Sequence, residues 1–148
     1  MFALFVAICS VGTAACGGGG TTKACSNPIR EPLDPEWGTH VLDASTVSYK
    51  TDPPTSGPHP FRAPPSGLLS RTLTPGEQVA LLEALDVIVQ YRDPALRPQL
   101  QGLASQGGVT VAPNPNLPKP IVLTALTYKL SCETIDMNAI QKFIESHK

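Results

Sequence analysis

A chain of 148 residues supports one domain, and its 11 basic and 12 acidic residues leave a net charge of −1. No basic cluster and no basic run interleaved with aromatics is present, which excludes nucleic acid as a partner and polybasic recognition of a membrane surface.

Phe2 to Ala15 form an almost uncharged apolar stretch closed by small residues, the pattern of a secretory signal peptide over residues 1–15. The stretch is too short to span a bilayer, which needs about 20 apolar residues in a helix. Thr13-Ala14-Ala15-Cys16 resembles a bacterial lipobox, with Thr13 where leucine is usual, and Gly17 to Gly20 follow as a flexible tether. The reading is a lipid on Cys16, a tether and linker over 16–36, and a folded domain over 37–148. Ordinary signal cleavage is the alternative. Export would place the protein on the bacterial cell envelope, held at the membrane by its lipid anchor. Cys9 would leave with the signal and Cys16 would be acylated, so Cys25 and Cys132 remain as a pair in an oxidising compartment. They either join, closing a loop of about 107 residues, or stay as separate thiols.

From Pro28 to Pro75 prolines are dense, and regular structure is expected to be sparse. Thr46 to Tyr49 alternates as a short edge strand would. The remainder reads as an ordered coil anchored on the core by Trp37, Tyr49 and Phe61, or as a disordered arm. Within it, Pro53-Pro54-Thr55-Ser56-Gly57-Pro58 is a rigid loop running into His59. Proline fixes φ, Gly57 permits a positive one, and the imidazole is presented with little freedom. Such a loop suits a ligand or a plain turn.

Thr74-Pro75-Gly76-Glu77 has the form of a capping box with proline at the first helical position, and a helix to about Leu85 follows. Val87 to Tyr91 is a β-branched run fit for a buried strand. Asp93-Pro94 starts a helical turn, with Leu96, Leu100 and Leu103 at helical spacing until Gly107-Gly108. Val109 to Val111 reads as a short strand and Ile121 to Leu130 as one long one. Asp136 caps a last helix with Met137, Ile140, Phe143 and Ile144 as its buried stripe. The order α-β-α-β-β-α implies a small α+β domain with a mixed sheet, weakly thioredoxin-like in its C-terminal half.

Tyr49 to His59, Val79 to Tyr91, and Ile121 to Ala125 with Cys132 and Phe143-Ile144 beyond are similar to segments of the bacterial family known as domain of unknown function 3105. The resemblance covers about Trp37 to His147. It implies that His40 and His59 match family histidines. It also implies a Val-His-x-Leu-Glu-His-Gly element, whose two histidines would share a helix face with the glutamate. Here that element is Val79-Ala80-Leu81-Leu82-Glu83-Ala84-Leu85, so only Glu83 remains of that face. Alanine neither coordinates nor transfers protons, and His40, His59 and Glu83 are what remains of a ligand set.

No catalytic residue is assigned. A Ser56 with His59 hydrolase lacks the nucleophile elbow, and no phosphate-binding loop follows a strand. The leading reading is an envelope lipoprotein with a non-catalytic binding or structural role, whose proline-rich face meets an envelope protein or the cell wall. The alternative is a protein that binds a divalent metal, copper or zinc, through the reduced His/Glu set.

Overall fold

The computed structural model describes residues 23–148. The signal segment 1–15 and Cys16 lie outside the described residues. Strand β1 (Ile29–Arg30) is followed by β2 (His40–Val41), a 3-10 turn over Ala44–Thr46, and β3 (His59–Pro60). Helix α1 (Pro75–Glu83) leads into β4 (Val87–Tyr91). A broken helical segment comes next: 3-10 at Pro94–Leu96, α2 (Arg97–Leu100), and 3-10 again at Gln101–Ser105. β5 (Val109–Pro113), β6 (Ile121–Ala125), β7 (Tyr128–Cys132) and α3 (Met137–His147) complete the chain.

The main sheet has five strands in the order β1-β7-β6-β4-β5, mixed because β4 runs parallel to β5 and antiparallel to β6. Every residue of β4 and β6 is buried, which explains their unbroken apolar runs: both faces of the sheet are covered. On one face Val87, Val89 and Tyr91 pack with Leu100, Leu103, Ile140, Phe143 and Ile144. On the other, Ile88 and Ala112 pack with Leu73, Leu81 and Leu82 of the α1 layer. The domain is thus α+β in three layers.

α1 begins as its sequence requires. The Thr74 hydroxyl accepts from the Glu77 backbone N–H, the Glu77 carboxylate accepts from that of Thr74, and Pro75 sits where no donor is needed. The helix ends at Glu83 rather than Leu85, because Leu85 turns to a φ of 63° and reverses the chain into β4. α3 is capped by Asp136 and buries Ile140, Phe143 and Ile144, while Met137 is exposed.

Several expectations change. The run Ile121 to Leu130 is a hairpin of two strands, broken at Leu126-Thr127, where Thr127 has a φ of 61°. Apolar residues continue through that turn, which hides it from periodicity. Thr46 to Tyr49 forms no strand; Asp43 caps the 3-10 turn instead, accepting from the Ser45 N–H. Phe61 is no core anchor, being 76% exposed, whereas Trp37 and Tyr49 are half-buried.

The segment read as linker carries parts of the fold. Cys25 and Cys132 form a disulfide, both buried, and Ile29–Arg30 adds to the edge of β7. Glu31, on the same segment, accepts from Lys129 at 2.8 Å, Thr51 at 2.8 Å and Thr55 at 2.6 Å. Those bonds seat the proline loop on the sheet.

Candidate functional site

β2 and β3 are too short for any periodic signal, yet their parallel pairing does the decisive positioning. His40 and His59 are register partners, so both side chains leave the ladder on one face. Their rings lie edge to face with centroids 5.0 Å apart. Glu83, in the last turn of α1, meets both: its Oε2 is 2.6 Å from His59 Nε2 and 3.2 Å from His40 Nε2. One ligand atom from each residue falls within 4.8 Å of the others.

The proline loop orients the deepest member. His59 is fully buried and donates its Nδ1–H to the Gly57 carbonyl at 3.0 Å. Gly57 has a φ of 138°, and a Cβ there would press on the Tyr49 ring at 3.2 Å. The Tyr49 hydroxyl donates to the Pro58 carbonyl at 2.7 Å, and the Ser56 hydroxyl oxygen accepts from the Asp34 N–H at 2.9 Å. Thr55 donates through its side chain to Glu31 and accepts through its carbonyl from the Thr127 N–H. Pro53 and Pro54 are buried, and Gly76 lets α1 approach, since a Cβ on it would lie 2.6 Å from that of Ala44.

This bonding sets the electrostatics. A carbonyl only accepts, so the Nδ1 position carries the hydrogen. On a neutral ring Nε2 is then a lone pair, and it faces a carboxylate oxygen at 2.6 Å. Two acceptors at that distance need positive charge between them, either a second ring proton or a cation. The hydrogen bond with His59 is the main reason the Glu83 carboxyl is held below its usual range, with His40 adding to it against the desolvating effect of burial.

The donor set fits a transition metal in kind: imidazole suits zinc and copper, and an imidazole whose far nitrogen is tied to a carbonyl is the usual supported ligand. Metal–nitrogen bonds of about 2.0 to 2.1 Å set donors roughly 3.3 Å apart in a tetrahedron. The His40–Glu83 separation of 3.2 Å matches that spacing, and the His59–Glu83 separation of 2.6 Å is shorter. Glu83 is the residue free to retreat, with 37% of its side chain exposed. Alanines at 80 and 84 leave His40, His59 and Glu83 gathered at one point.

Other candidates fall elsewhere. His147 donates from Nδ1 to the Phe143 carbonyl, stacks on the Phe143 ring and meets the Tyr128 ring at a tilt, at the end of α3. Asp52 lines a different cleft, with Thr72, Gln78 and Asn114. Sequence reasoning missed Trp37 as a neighbour of His59, at 5.6 Å between ring centroids. It also missed a cluster in which the exposed Ser66 and the buried Thr110 donate to the buried Asp86 at 2.5 and 2.8 Å. Neither has a local signal, because each joins residues 20 or more positions apart.

The chain belongs to the family described as protein of unknown function (DUF3105), matched over residues 40–148. No curated protein and no solved structure matches the chain. Among the described residues, no helix is long and apolar enough to cross a membrane.

Proposed function

We propose that this member of the DUF3105 family is an exported, lipid-anchored protein of the cell envelope whose folded domain binds a divalent transition metal, zinc or copper, without catalysis. The observation that carries the metal reading is the buried, carbonyl-tied His59 aiming Nε2 at a carboxylate oxygen that also faces His40. Support for export is the apolar segment 1–15, and for the anchor the lipobox-like run ending in Cys16. A disulfide between two buried cysteines agrees with an oxidising compartment.

The competing role for the same residues is a clasp, in which an imidazolium pairs with Glu83 to pin β3 on α1. Titration of zinc or copper into disulfide-intact protein separates the two. The chain has a single tryptophan, so its fluorescence reports the surroundings of Trp37 alone. Saturable quenching by copper, weakened at least tenfold in Glu83→Gln and lost in His59→Ala, is expected. No saturable binding, or binding indifferent to Glu83→Gln, would leave only the clasp. For the anchor, mass spectrometry of protein from its native membrane should find acyl mass on Cys16.

A further inference from the structure

We propose that a metal ion held by His40, His59 and Glu83 keeps one coordination position open to solvent, and that this position takes an aromatic nitrogen donor of the imidazole class, seated against Phe61. The inference rests on the metal reading above and deepens it. Three protein donors leave a fourth position on a tetrahedral ion. The two sides of the cluster differ sharply. On the inner side, His59 is 0% exposed and Trp37 lies beside its ring. On the outer side, His40 and Glu83 are 39% and 37% exposed. A fourth ligand can therefore arrive only from outside.

Phe61 borders that approach, in contact with His40. Because β2 and β3 run parallel, the chain leaves both at the same end, with Leu42 following Val41 and Phe61 following Pro60. Both residues are strongly exposed, at 108% and 76%. The Phe61 ring stands nearly perpendicular to that of His40, with centroids 5.0 Å apart, so a large aromatic surface already borders one metal ligand. A donor with a flat ring can bind the ion and lie against Phe61 at once, whereas a small inorganic anion gains only the metal bond. Aromatic pairs favour such offset or edge contacts. Phe61 would then determine selectivity without itself touching the metal.

The test uses the disulfide-intact protein loaded with cobalt(II), whose visible absorption reports coordination. Free imidazole, a blocked Gly-His-Gly peptide and azide are titrated into wild type and Phe61→Ala. Imidazole should change the spectrum saturably, and Phe61→Ala should weaken imidazole by about threefold to tenfold while leaving azide unchanged. A peptide response matching that of imidazole assigns the position to a protein histidine, and a response to imidazole alone assigns it to a small heterocycle; both support the proposal. Cobalt uptake with a spectrum inert to all three probes overturns the open position. Equal loss of azide and imidazole in the variant overturns the role of Phe61. Failure to take up cobalt, zinc or copper removes the metal reading, and this inference with it. Since Phe61 is exposed, the variant is expected to fold; its circular dichroism provides the check.

Discussion

His40 and His59, 19 positions apart in sequence, are directly paired in a parallel two-residue ladder, with the backbone N–H of His59 also donating to the Thr39 carbonyl at 3.1 Å. The pairing makes the two imidazoles a unit before Glu83 is considered. It also explains why a proline-dense segment is ordered: the loop from Pro53 to Pro58 returns the chain alongside β2, and its carbonyls and hydroxyls are spent on Tyr49, Glu31, His59 and Thr127. A helix contributes only the third member. Two of the three candidate ligands, His40 and His59, are therefore fixed by backbone pairing.

Gly57 should link loop geometry to metal affinity. Replacing it by alanine puts a side chain at a φ of 138° and against the Tyr49 ring, so the Gly57 carbonyl must shift. Gly57→Ala is expected to lower stability by about 1 to 3 kcal/mol, in the range of local backbone strain. It should also weaken metal binding through loss of the Nδ1 bond to the carbonyl, by about tenfold to a hundredfold, the usual effect of losing a ligand's outer support. Denaturant melts and copper quenching of Trp37 measure the two effects. Normal affinity in a destabilised variant would show that the carbonyl does not orient His59.

The elements most legible in the sequence are those with self-contained signals. α1 has its capping box, β4 its β-branched run and α3 its stripe, and all three stand within a residue or two of where the chain marks them. What stayed hidden depends on long-range pairing. A two-residue strand such as His40–Val41 has no period, and the β6 to β7 turn is disguised because Leu126 continues the apolar run. The candidate set His40, His59 and Glu83 was legible as residues, through family resemblance, but its geometry was not. The two histidines meet through backbone register, which side-chain patterns do not encode.

Leu85 should be a stabilising target. It adopts a φ of 63° at the end of α1, a conformation that costs a residue with a Cβ roughly 1 to 2 kcal/mol, and its side chain is 66% exposed, so little packing is lost on its removal. Leu85→Gly relieves the backbone, offset in part by the greater freedom of glycine in the unfolded chain. A net gain of about 1 kcal/mol and a rise in Tm of a few degrees are expected by thermal melt. A fall in Tm would mean that the Leu85 side chain supports the turn.

Reduction of the Cys25–Cys132 disulfide should matter more than any surface change. The bridge spans 107 positions and ties the N-terminal arm to β7. In the chain-entropy view, closing a loop of that size is worth about 4 to 5 kcal/mol. A Cys25→Ala/Cys132→Ala variant should lose stability of that order and shift its denaturant midpoint downward with little change in far-UV dichroism below the transition. An unchanged midpoint would place the arm outside the cooperative unit.

Acid should attack the domain through Glu31. Burial pushes its carboxyl upward, but the bonds from Lys129, Thr55 and Thr51 together outweigh that and hold it below its usual range. A carboxylate with a lowered folded-state pKa contributes stability that is fully present above its unfolded value, about 4.3 for glutamate. That contribution is lost as pH falls through the lower, folded value. Glu83 carries the same sign and adds to the slope. Lys129 and Glu31 retain only 9% and 11% side-chain exposure, so Glu31→Gln leaves a nearly buried ammonium without its counter-charge. A loss of about 3 to 5 kcal/mol at neutral pH is expected, with a flatter stability profile below pH about 5. A Glu31→Gln/Lys129→Met double variant should recover most of the loss, because the uncompensated charge is gone. Denaturant unfolding from pH 3 to pH 7 on the three proteins measures both effects. If the acid slope of Glu31→Gln matched that of wild type, the acid sensitivity would lie with Glu83 or other carboxylates instead of the buried pair.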